Sequence, residues 1–177
     1  MRRIGLATII MVCVTFAASA QPVTDPETGV TLTPPPTYTA QISKIGFFGR
    51  GHKQVSFMVA PRESLLTRCE VTLVLSSSSE NRTQAERDQS VIKMLRMGHL
   101  DAEYGTLNET FEYLGARGII QIAPKSGIER RSAFNRFRIM VYPPQGIINL
   151  TCTIGGLDFE ARRPELEAIV RGISFSK

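Results

Sequence analysis

Alternation of apolar and polar side chains runs through most of the chain. From Thr67 to Leu75, Cys69, Val71, Leu73 and Leu75 fall on one side of an extended backbone and Arg68, Glu70, Thr72 and Val74 on the other. This predicts a half-buried strand with Cys69 facing the core. Val55, Phe57 and Val59 alternate ahead of Pro61. Phe137, Ile139 and Val141 alternate with Arg136, Arg138 and Met140, and Ile148, Leu150, Cys152 and Ile154 alternate with Asn149, Thr151 and Thr153. Each pattern predicts a strand, the last two joined as a hairpin through Pro143-Pro144-Gln145-Gly146. Val30-Thr31-Leu32-Thr33 and the stretch from Tyr38 to Ile45 read as two further strands parted by the turn at Pro34-Pro35-Pro36. A strand-like pattern from Gly105 to Ala123 carries Phe111, Tyr113, Ile119, Ile120 and Ile122, broken by Gly115 and Gly118.

Two segments change period. Thr83 and Glu86 stand three apart, as in a capping box, and Val91, Ile92 and Leu95 then follow at helical spacing up to a stop at Gly98. Near the end, Pro164 suits a first helical turn, Glu165 and Glu167 suit its positive end, and Leu166, Ile169 and Val170 share a face before Gly172. Ile173 and Phe175 would then fasten the chain to the sheet. Strands, a long helix, more strands and a terminal helix predict an α+β fold on an antiparallel sheet, because a parallel sheet needs a helix between successive strands.

The first twenty residues follow neither pattern. Arg2 and Arg3 precede an uncharged apolar run from Ile4 to Ala17, closed by Ala18-Ser19-Ala20. This predicts a secretory signal peptide, residues 1–20, cleaved after Ala20. A membrane anchor needs about 20 apolar residues, more than this run provides. Acylation at Cys13 is disfavoured by Met11 and Val12 before it and by the apolar run continuing past it. Residues 21–29, with Pro22, Asp25, Pro26 and Gly29, read as a flexible leader, and residues 30–177 as one globular domain. The expected compartment is periplasmic or extracellular, with no stable membrane insertion after processing.

Export changes the meaning of the cysteines. Cys69 and Cys152 remain after cleavage, in a compartment that permits disulfides, and both sit on inward strand faces. They pair, or stay as two separately buried thiols. With no C-x-x-C and only His52 and His99 as histidines, the chain lacks paired-cysteine zinc spacing, and no metal or cofactor is expected. The 21 Lys and Arg against 16 Asp and Glu give +5, which falls to +3 once Arg2 and Arg3 leave with the signal. So small an excess does not predict a nucleic-acid partner.

The opening Gly29-Val30-Thr31-Leu32-Thr33-Pro34-Pro35-Pro36-Thr37-Tyr38 resembles the entry of the PsbP-like fold, the family of photosystem extrinsic proteins and their bacterial exported relatives. The closing run from Ile148 to Thr153, through Asp158-Phe159, to Pro164–Val170 and Ile173-Ser174-Phe175 resembles that fold's final strand and C-terminal helix. The resemblance implies an α/β/α sandwich, with an antiparallel sheet flanked by helices, and a binding or accessory role in assemblies. The tryptophan usual after the opening proline is absent, since the chain has no Trp, and no metal-binding motif carries over.

Catalytic signatures are sparse. His52 lies in a Gly46-x-x-Gly49-x-Gly51 bend between Arg50 and Lys53, where an imidazole is solvated, and His99 follows a helix stop. The bend lacks the G-K-[ST] ending of a phosphate loop, and Ser76 to Ser79 lacks the context of a nucleophile. Glu165 and Glu167, two apart on a helix, point to different sides. The sequons at Asn81, Asn108 and Asn149 read as coincidental, Asn149 falling within a strand. The main charge feature is Arg130, Arg131, Arg136 and Arg138, with Lys125 nearby and Glu129 opposing. It is either an anion-binding face or a solvated sheet face kept polar against aggregation. The expectation is a non-catalytic exported binding or accessory protein whose partner is an anionic envelope component or another exported protein. The rival expectations are an enzyme whose site includes His52, and an envelope protein that acts by oligomerisation.

Overall fold

The computed structural model describes residues 20–43, 53–63, 67–76, 81–97, 107–123, 134–155 and 159–176. Along the chain lie β1 (Val23–Thr24), β2 (Val30–Leu32), β3 (Tyr38–Ser43), β4 (Gln54–Pro61), β5 (Thr67–Leu75), α1 (Gln84–Met97), β6 (Leu107–Tyr113), β7 (Ala116–Ala123), β8 (Phe134–Val141), β9 (Gly146–Gly155), α2 (Phe159–Arg171) and β10 (Ile173–Phe175). Seven strands form one sheet in the order β3-β4-β5-β9-β8-β7-β6, and β1-β2-β10 form a second. Every neighbouring pair is antiparallel. The fold is therefore a mainly-β α+β fold.

The alternating side chains decide which face of the large sheet is dry. Cys69 stands opposite Cys152, Val71 opposite Leu150 and Leu73 opposite Ile148, and all six are buried. Phe137, Ile139 and Val141 extend the layer, and Leu166, Ile169 and Val170 of α2 join it with Val30 and Leu32 of β2. Each large side chain buried here contributes about 1.5–3 kcal/mol relative to exposure. Residues of the opposite parity make a smaller cluster, in which Val91 of α1 meets Met140 and Tyr142, with Ile119 and Ile147 beside them. The capping box forms in both directions. The Glu86 amide donates to Thr83 Oγ1 at 3.3 Å, and the Glu86 carboxylate accepts from the Thr83 amide at 2.7 Å.

The fold corrects three readings and adds an element to the segment 21–29. There Val23 pairs with Leu32, Thr24 with Thr31, and Asp25 accepts from the Thr28 amide at 2.9 Å. A two-residue strand needs only backbone partners and one apolar side chain, Val23, so the polar composition hid it. The terminal helix begins at Phe159 and carries Pro164 inside. Its added turn is held by Arg163, which donates to Glu167 Oε1 at 3.0 Å and to the two carboxylate oxygens of Glu109 on β6. Ile173 and Phe175 pair with Leu32 and Val30 in the small sheet and not with the large one. Gly118 does not interrupt a strand but lies within β7, where a Cβ would collide with the Met140 carbonyl oxygen.

Candidate functional site

β8 places Arg136 and Arg138 on the face opposite Phe137 and Ile139. Pairing with β9 sets Arg136 beside Thr153 and Arg138 beside Thr151. Pairing of β9 with β5 then sets Thr153 beside Arg68 and Thr151 beside Glu70. The result is a patch three strands wide and two rows deep: Arg68, Thr153 and Arg136 in one row, Glu70, Thr151 and Arg138 in the next. With strands about 4.8 Å apart, the Cα atoms of Arg68 and Arg136 lie about 10 Å from each other, and both side chains are exposed. Arg138 is half-buried, and its Nε donates to Asn149 Oδ1 at 2.8 Å. That bond also engages the Asn149 sequon within the sheet.

The patch differs from the predicted cluster in membership. Arg130 and Arg131, with Lys125 and Glu129, lie outside the described residues. Arg68 joins instead, although it is far from the others in sequence. The signal that points to it is the cysteine pair: once Cys69 faces Cys152, Arg68 must face Thr153. The two sulfurs are 2.11 Å apart, a disulfide distance, across a sequence separation of 83.

A second concavity, of about 620 Å³, lies between the β2–β3 turn, the end of β4 and α2, and is lined by Pro36, Tyr38, Pro61, Arg62, Arg162 and Glu165 among others. The Tyr38 hydroxyl donates to Glu165 Oε2 at 3.0 Å. Burial first, then the hydrogen bond and the charge of Glu165, push the Tyr38 pKa up to about 12. The hydroxyl is therefore protonated at neutral pH and acts as a donor, not a base. Glu167 turns instead to Arg163, so Glu165 and Glu167 serve separate partners.

His52, His99, Ser77 to Ser79 and the Gly46–Gly51 bend lie outside the described residues. Among the described residues, no group of three or more His, Cys, Asp or Glu side chains is arranged to hold a metal ion. No helix among them is long and apolar enough to cross a membrane. Comparison with protein-family models and with curated proteins finds no match to this chain.

Proposed function

We propose that this protein is an exported, non-catalytic binding or accessory domain with a PsbP-like α/β/α arrangement. In this reading it engages an anionic envelope component, or an acidic patch on another exported protein, through the sheet face bearing Arg136 and Arg138. The carrying observation is the register that gathers Arg68, Arg136 and Arg138 around two threonine hydroxyls on three adjacent strands. Guanidinium groups form charge-assisted, often bidentate hydrogen bonds with oxyanions, and the hydroxyls add short-range donors. The exposed placement favours docking over enclosure of a small substrate. The apolar leader and a cysteine pair at disulfide distance support an oxidising compartment.

The test is co-sedimentation of the processed protein with envelope fractions, comparing wild type with the double variant Arg136→Ser, Arg138→Ser. The reading predicts that the variant stays in the supernatant, and that wild type joins it as salt screens the exposed charges. Equal sedimentation of both proteins at all salt concentrations would reject it.

A further inference from the structure

Beside the arginine patch runs an open groove of about 540 Å³ over the outer two strands of the large sheet. Its lining includes Thr39, Gln41 and Ser43 of β3, Met58 and Ala60 of β4, and Arg68 of β5. Register places Thr39 against Ala60 and Gln41 against Met58, on the same face as Arg68, Thr153 and Arg136. Among the described residues of the lining Arg68 is the charged one, so it forms both the end of the groove and the start of the arginine row. The volume has room for one small ligand laid along the open face. From Thr39 to Ser43 the strand runs about 13 Å, and the described lining on β3 and β4, threonine, glutamine, serine, methionine and alanine, carries no charge, with Glu70 of β5 standing beside Met58.

We infer that groove and row form one site for an amphiphile with a single oxyanion head group and an uncharged, medium-length chain. The head group lies over Thr153, taking hydrogen bonds from Arg68 and Arg136 on either side and from the threonine hydroxyl. The chain lies along Met58 and Ala60 and leaves past β3, the last strand of the sheet. Glu70, opposite Thr151 in the adjoining row, repels a second negative charge there, and this selects a singly headed anion over a polyanion. An anionic chain would lose hydration on the uncharged lining and meet Glu70 beside Met58. The inference rests on the arginine-face reading and narrows its ligand to one chemical class.

The test uses calorimetric titration of the processed full-length domain with monomeric dodecyl phosphate, inorganic phosphate and dodecyltrimethylammonium. Dodecyl phosphate is expected to bind at one site at least tenfold more tightly than inorganic phosphate, and the cationic surfactant not at all. Arg68→Ser, at an exposed position, should weaken dodecyl phosphate at least tenfold. Gln41→Glu, nearly isosteric and exposed, should weaken it severalfold by placing a charge beside the chain. Sedimentation with phosphatidylglycerol vesicles, against phosphatidylcholine vesicles, separates a bilayer source from a free amphiphile. Equal affinity for dodecyl phosphate and inorganic phosphate, or no effect of Arg68→Ser, overturns the inference. If that happens while the Arg136→Ser, Arg138→Ser variant still loses envelope sedimentation, the groove assignment fails and the arginine-face reading stands.

Discussion

Reduction of the Cys69–Cys152 pair is the perturbation whose magnitude follows most directly from topology. β5 and β9 are neighbours in the sheet but are separated in sequence by α1 and β6 to β8, and their paired cysteines are 83 residues apart. A cross-link closing a loop of that length lowers the entropy of the unfolded chain by an amount worth about 4.5 kcal/mol at 25 °C. Reduction keeps both sulfur atoms in the core, where each cysteine is fully buried, so it isolates the loop contribution from packing. With a urea slope of about 2 kcal/mol per molar, the unfolding midpoint should fall by about 2 M. The assay is equilibrium urea unfolding followed by far-ultraviolet circular dichroism, with and without dithiothreitol, thiol titration confirming the redox state. The Cys69→Ala, Cys152→Ala variant should lose more than reduction alone, because it also leaves two buried sites underfilled. A midpoint shift below about 0.5 M on complete reduction would refute the loop-entropy argument.

Other consequences are local. Gly118→Ala drives a Cβ against the Met140 carbonyl and Val141 on β8, and should cost about 1–3 kcal/mol as overpacking, read from thermal unfolding. Thr83→Ala removes the N-cap of α1 and should cost about 1 kcal/mol in the same assay. Hydrogen bonds from Thr83 and from Arg163 hold the Glu86 and Glu109 carboxyls below the ordinary carboxylate range. Their contribution is therefore present above pH 4.5 and lost as pH falls through the lowered values, and Glu109→Gln should flatten that acid limb in urea midpoints. Tyr38 is shifted the opposite way, so its contribution is full below pH 10 and is lost as pH rises towards 12; Tyr38→Phe should remove that alkaline limb and the corresponding step in ultraviolet titration.

Much of the strand layout was legible because one face of the large sheet is dry. The alternation around Cys69, Phe137 and Cys152 marks inward positions, and burial at those residues follows it. The capping box at Thr83 and Glu86 was equally readable, since its chemistry is confined to four residues. Elements that owe their form to distant partners were not. β1 exists through its pairing with β2, and the part of α2 ahead of Pro164 is tied through Arg163 to Glu109 on β6. Gly118 reads as a break until β8 is seen pressed against it. The arginine patch was half visible: Arg136 and Arg138 stand out as alternating cations, whereas Arg68 acquires meaning only through the β5–β9 register. The Tyr38–Glu165 contact spans 127 residues and leaves no local pattern.

The central claim, that the face around Arg136 and Arg138 is where a partner binds, is tested most directly by arginine footprinting. The processed protein is treated with phenylglyoxal, with and without the envelope fraction, and modification at each arginine is read by peptide mass spectrometry. Arg117, whose side chain is 69% exposed at the far end of β7, serves as an internal reference, together with exposed Arg82. The account predicts that the envelope fraction slows modification at Arg136 and Arg138 while Arg82 and Arg117 react as before. Uniform modification of all four arginines, or protection confined to Arg82 and Arg117, would contradict it.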